Sequence, residues 1–285
     1  MLPSAEFLIC PLDGLPLSDQ GASLVCENGH NFDVAKQGYV NLLPVQHKRS
    51  KHPGDSKAMV KARQRFLGTG AYEAVALQLA KELQVRAAQH GVLRCVDAGC
   101  GEGYYLAYLW SFLQKHAPEL TFQLCGVDIS KEAILVASRR SKQVTWVVGS
   151  NKQLPVAERS MDVVLCMFGF PNFENFAKVL KPGGCLVMVD PNADHLHELR
   201  ALLYDEVVKK TRPNHDDVVG YEFSMLDEKD CRYQFHLNDS QSIVDLAMMT
   251  PHYFRAKQAA KEKLERLTAL DISVDVCIKT FQLRV

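Results

Sequence analysis

The run "VDAGCGEGYYL", residues 96–106, constrains this chain more than any other stretch. An apolar strand passes into Gly99, Gly101 and Gly103 and then into an apolar helix pattern, so the chain must turn sharply and leave its backbone bare at the turn. In an open sheet such a turn lies at the carboxyl edge, where a ligand can sit over the helix N-terminus. A Gly-x-Gly-x-Gly by itself also fits a tight strand-to-helix turn with no ligand, so its surroundings decide.

Those surroundings alternate. After a helix beginning near Tyr72 and ending near Gly91, apolar runs and amphipathic runs follow in turn from Val92 to Asp190. The strands are "VLRCVDAG", "FQLCGVDIS", "VTWVVG", "MDVVLCMF" and "CLVMVD", with helical patterns between most of them. This order predicts an α/β fold, a mostly parallel sheet covered by helices on both faces. The last third adds the strands "CRYQFHLND" and "SVDVCIKTFQLRV" around one helix, "TPHYFRAKQAAKEKLERL", opened by Thr250 and Pro251. Residues 1–45 are different: Gly, Pro, Asn and Asp break short apolar alternations, which suits a small β-rich module. The expected division is therefore 1–45 and 46–285.

The 285 residues, 47% hydrophobic, suffice for one large domain and a small appendage. Lys plus Arg and Asp plus Glu are both 33, so no global basic field draws in nucleic acid, although a local patch can still be balanced by distant acids. Such a patch is His47, Lys48, Arg49, Lys51, His52, Lys57, Lys61, Arg63 and Arg65, which fits either a solvated linker or a phosphate-contacting segment. The nine cysteines lie mostly in apolar runs and read as reduced thiols of a cytoplasmic protein. No run approaches the ~20 apolar residues of a membrane span.

Two further motifs sharpen the glycine turn. Asp128 ends the second strand, where an acid commonly accepts hydrogen bonds from ribose hydroxyls. "VLKPGGCLVMVD" puts a Lys-Pro-Gly-Gly turn, Lys181 to Gly184, before a late strand. The ordered set over residues 92–190 resembles the Rossmann-like, class I S-adenosylmethionine-dependent methyltransferases. A nicotinamide dehydrogenase usually lacks the late turn. The resemblance implies a seven-stranded sheet and a cofactor site. Asp97 would orient the loop near the cofactor's amino group. Gly99, Gly101 and Gly103, with Glu102, would approach the methionine end, Asp128 the ribose, and Ser150 and Asn151 the adenine.

At the front, Cys10 and Asp13 in "CPLDG" are followed, a dozen residues on, by Cys26 and His30 in "CENGH". That is zinc-ligand spacing with a carboxylate in one thiolate's place. Together with "PGDSKAMVKARQRFLGTGAY" and "MTPHYFRA", it closely resembles the bacterial large-subunit ribosomal-RNA guanine-N1 methyltransferases. That resemblance spans nearly the whole chain. It implies a zinc-finger-like RNA-recognition module, Zn2+ held by Cys10, Asp13, Cys26 and His30, and cofactor contacts from Tyr72 and His195. It also implies methyl transfer to N1 of a guanine in a ribosomal-RNA hairpin, with no membrane partner and with a homodimer left open. One segment departs: "CMFGFPN", residues 166–172, lacks the Arg-x-Tyr-x-Pro pattern of that family. Its Phe168, Phe170 and nearby Phe173 are candidate walls for the target base. A small-molecule methyltransferase and a noncatalytic cofactor-binding or RNA-binding relative remain the alternatives.

Overall fold

The computed structural model describes residues 2–44, 46, 53–87, 92–207 and 215–284. The basic residues at 47–52 and the helix end near Gly91 lie outside the described residues.

Three short strands, β1 (Ser18–Asp19), β2 (Ser23–Val25) and β3 (Asn31–Asp33), form an antiparallel ribbon of their own. Two-residue and three-residue strands cannot bury much, so the ribbon leans on the rest of the molecule. Leu8, Leu17 and Leu24 share one core with the main sheet's Val147 and Met161 and with Val156, which bridges to Leu8.

Next come β4 (Tyr39–Asn41), α1 (Lys57–Gly68) and α2 (Glu73–Ala87). Ser56 starts α1 by accepting the Met59 N–H at 3.3 Å. The α/β alternation then runs as β5 (Val92–Ala98), α3 (Tyr104–His116), β6 (Thr121–Asp128), α4 (Lys131–Arg140), β7 (Thr145–Val148), β8 (Met161–Met167), α5 (Phe173–Val179) and β9 (Leu180–Pro191). After α6 (His197–Leu203), the chain closes with β10 (Phe223–Leu237), α7 (Ser240–Met248), α8 (Pro251–Arg255), α9 (Gln258–Glu265) and β11 (Leu270–Leu283).

The main sheet is ordered β10-β11-β9-β8-β5-β6-β7-β4. The pairs from β9 through β4 are parallel, and β11 runs antiparallel between β9 and β10. Every residue of β8 and β7 is buried, as strands covered on both faces require. All seven expected strands are present, and the sheet has eight: β4 pairs with β7 in parallel register. Its residues lie in "GYVNLLPV", one of the short alternations expected in the leading β-rich module, and they join the main sheet instead. A second difference lies between residues 250 and 267, where one expected helix is two. Ala256 and Lys257 are extended, with ψ near 150°, so α8 faces the sheet's carboxyl edge while α9 turns away to bury Leu264.

Candidate active site and metal centre

The turn after β5 opens onto a cavity of about 740 Å³ at the carboxyl edge of the sheet, within the usual range for a small-molecule site. Its glycines do different work. At Gly99 (φ +102°) an added Cβ would meet nothing within 4 Å, so that backbone faces open space. At Gly103 (φ +81°) a Cβ would stand 2.5 Å from the Trp146 ring and 2.9 Å from Ala137, so that glycine lets α3 close on the sheet.

Tyr72, Gly99, Gly101, Glu102, Asp128, Asn151 and His195 all line the cavity. Asp97, Gly103 and Ser150 stand behind its wall. Asp128 accepts the Gly101 N–H at 2.9 Å and the Ser130 N–H at 2.8 Å, which fixes its carboxylate and leaves lone pairs to accept more. Asp97 is 1% exposed, and its Oδ1 has no hydrogen-bond partner. Burial, with the Asp128 charge close by, pushes its carboxyl up to about 8. Glu102, equally buried, ion-pairs with Arg140 at 2.5 Å.

At the other end, Tyr72, Phe168 and His195 form an aromatic cluster. Phe168 stacks on His195 with ring centroids 5.9 Å apart, and Tyr72 meets both rings edge-on. The Asp275 N–H donates to His195 Nδ1 at 3.3 Å, and Nε2 faces the Tyr72 hydroxyl at 3.3 Å. Burial pushes this imidazole down to about 4, so it is neutral near pH 7. Phe168 holds a left-handed backbone (φ +52°), uncommon for a bulky residue and found most often where a site requires it.

Of the three phenylalanines, Phe168 and Phe170 line this cavity. Phe173 does not: it is 5% exposed, under the ring of Tyr221. The Asn151 amide donates to the Phe170 carbonyl at 2.9 Å and so ties two cavity loops together. Two walls were not foreseen. Gly54, Asp55 and Arg63 come from the connecting stretch, where Ser130 Oγ donates to the Asp55 carbonyl at 2.9 Å and Arg63 ion-pairs with Asp55. The Pro53-Gly54 break followed by a capping serine was the available signal. Met249 to His252 and Arg255 form the other wall, which the bend between α8 and α9 brings into place.

S-adenosylmethionine fits this donor set. Its sulfonium and ammonium are cations, and behind the open glycine backbone stands Asp97, a buried acid with an unpaired oxygen that a bound cation would draw toward its ionised form.

The second cluster is in the ribbon. The donor atoms of Cys10, Asp13, Cys26 and His30 all lie within 4.8 Å of one another. His30 Nδ1 is 3.4 Å from each sulfur and 2.9 Å from Asp13 Oδ2, and Cys26 Sγ is 3.4 Å from the same oxygen. Zinc bond lengths of ~2.0–2.3 Å place tetrahedral donors ~3.3–3.8 Å apart, so the four residues fit a zinc ion after a small opening of the His30–Asp13 contact. The two thiols must then give up their protons, and burial pushes that of Cys10 up to about 11.

Comparison with known proteins supports both halves. The family described as "RlmA, N-terminal" matches residues 8–51, and the family described as "Methyltransferase domain" matches residues 96–188. YxjB of Bacillus subtilis (strain 168), provisionally named a 23S rRNA (guanine-N(1)-)-methyltransferase, is 33% identical over 273 residues, covering 94% of each chain. The 23S rRNA (guanine(748)-N(1))-methyltransferase of Streptomyces fradiae is 36% identical over 196 residues, 68% of this chain and 66% of its own. By contrast, a demethylmenaquinone methyltransferase of Chlorobaculum tepidum is 33% identical over only 76 residues, 24% of this chain. The likeness that runs through ribbon, connector and carboxyl-terminal segment is the one to the ribosomal-RNA enzymes. The chain therefore belongs to the S-adenosylmethionine-dependent 23S rRNA (guanine-N1)-methyltransferases.

Proposed function

We propose that this chain methylates N1 of a guanine presented in a hairpin of large-subunit ribosomal RNA, in the cytoplasm. On this reading residues 1–45 are a zinc-holding recognition module, which also lends β4 to the sheet, and residues 46–285 the catalytic domain. The observation that carries it is that the cavity is walled by the family-specific segments. Gly54, Asp55 and Arg63 on one side and Met249 to His252 with Arg255 on the other line it beside the general cofactor turn.

S-adenosylmethionine supplies an electrophilic methyl group on a sulfonium. The chain's own work is alignment and exclusion of water. Asp97 and the Gly99 backbone hold the methionine end, Glu102 sits beside them, Asp128 takes the ribose, and Asn151 and Ser150 border the adenine. Guanine N1 is hidden by pairing, so the base enters unpaired or flipped. Phe168, Tyr72 and His195 offer it flat apolar walls. His195 has the Asp275 N–H on its Nδ1 and the Tyr72 hydroxyl at its Nε2, and burial lowers its basicity, which suits a wall of the base pocket better than a proton acceptor. In the ribbon, Asp13 stands in for a thiolate and keeps four ligands around zinc.

The test is purified protein with labelled S-adenosylmethionine and unmodified 23S ribosomal RNA, followed by nucleoside analysis and zinc content on the same sample. N1-methylguanosine with about one zinc per chain is expected. Segment 166–172, which lacks the family's Arg-x-Tyr-x-Pro, favours the alternative of a small-molecule acceptor. Turnover without RNA would establish that alternative instead.

A further inference from the structure

A second groove, of about 300 Å³, opens beside the main cavity and shares Asn151 and Phe170 with it. Lys152, Asn172, Phe173 and Tyr221 complete the walls that matter. Phe170 is 91% exposed, the most exposed large apolar side chain among the described residues. Its loop is nonetheless fixed. The Asn151 amide holds the Phe170 carbonyl, the Asn172 amide donates to the Lys152 carbonyl at 3.4 Å, and Asn172 Oδ1 caps α5 by accepting the Asn175 N–H at 3.0 Å. A ring held in water by a rigid loop is unfavourable until a partner covers it. Tyr221, 40% exposed, stands across the groove and is backed by the Phe173 ring at 6.2 Å.

The occupant follows from position and charge. Just past Lys152 the amino-terminal segment is docked: the Ile9 N–H donates to the Pro155 carbonyl at 3.1 Å, and the Ala157 N–H to the Phe7 carbonyl at 2.8 Å. The groove thus lies between the anchor of the ribbon and the methyl-transfer cavity, along the course of a strand gripped by both. On its rim Glu174 is paired with Lys178 at 2.8 Å, whereas Lys152 has no ion-pair partner among the described residues. Aromatic faces beside a free ammonium suit a nucleotide.

We propose that this groove binds a nucleotide flanking the target guanine, its base against Phe170 and Tyr221 and its phosphate on Lys152. The inference rests on ribosomal RNA being the substrate, as set out above.

Steady-state methylation of unmodified 23S ribosomal RNA tests it. Tyr221 lies outside the main cavity, so Tyr221→Ala should raise KM for RNA roughly five- to a hundredfold and leave the Kd for S-adenosylmethionine unchanged. Tyr221→Phe, which keeps the ring, should behave as wild type. Phe170→Ala should raise KM for RNA comparably. Lys152→Ala should weaken RNA binding and flatten the slope of log K against log salt by about 0.7, the value for one single-strand phosphate. Unchanged RNA KM in Tyr221→Ala and Phe170→Ala, with an unchanged salt slope in Lys152→Ala, overturns the groove while the RNA reading stands. Wild-type protein that neither binds nor methylates the RNA overturns both.

Discussion

Gly14 in the ribbon and Gly103 in the cofactor turn have nearly the same backbone, φ +77° and +81°, in opposite surroundings. Around Gly14 an added Cβ would find open space; around Gly103 it would collide with Trp146 and Ala137. The ribbon ties its donor cluster to the main core through Leu8, Leu17 and Leu24, and only the knuckle turn at Gly14 faces open space. The turn is a packed joint whose geometry is set by the sheet. One turn has room around it, the other none.

The sharpest way to break that contrast is Gly103→Ala. Left-handed strain and overpacking together should cost roughly 2–5 kcal/mol of global stability, measured by urea unfolding. A cost below about 1 kcal/mol would show that α3 can retreat and the joint is not tight.

Next in size is the pH dependence of the cavity wall. The folded His195 imidazole is held at about 4, below its ordinary value near 6.5. The unfolded chain therefore binds the proton first as pH falls, and stability is full above about 6.5 and lost toward 4. That loss, on the order of 3 kcal/mol, should occur in wild type and be absent from His195→Gln, so the difference between their stabilities in urea should change by that amount across the range.

A smaller effect belongs to the ribbon. Asp13→Ala should weaken zinc retention at least about tenfold against a competing chelator, and Asp13→Cys should tighten it. Equal zinc content in all three proteins would remove the carboxylate from the ligand set. The smallest is Gly14→Ala, with only backbone strain to meet: about 1 kcal/mol, read as the change in urea midpoint.

The same contrast explains what the sequence made legible. The glycine turn, Asp128 and the Lys-Pro-Gly-Gly turn stand out because strand, turn and helix follow one another locally. The metal cluster stands out because its ligands come in two close pairs. Gly54, Arg63 and Arg255 lie in segments that the sequence marks out, but not as cavity walls, since they reach the cavity only through tertiary packing across the sheet's edge. Phe173 was misplaced for a related reason: its neighbours Phe168 and Phe170 are on a loop, while Phe173 is the first residue of α5 and faces the core. Strand β4 lies in "GYVNLLPV", whose alternation reads as β structure of the leading module, but its partner β7 is over a hundred residues away and nothing local names it.

That short strand has a consequence for how the chain can be cut. The flank of β7 on which Tyr39–Asn41 lie carries backbone donors and acceptors that would otherwise face water, on a strand with every side chain buried. Removing the amino-terminal 45 residues to obtain a free catalytic domain would uncover a sticky apolar edge, the usual template for self-association between copies. The leading segment guards the solubility of the sheet it borders, and a tidy truncation at the module boundary would forfeit that protection.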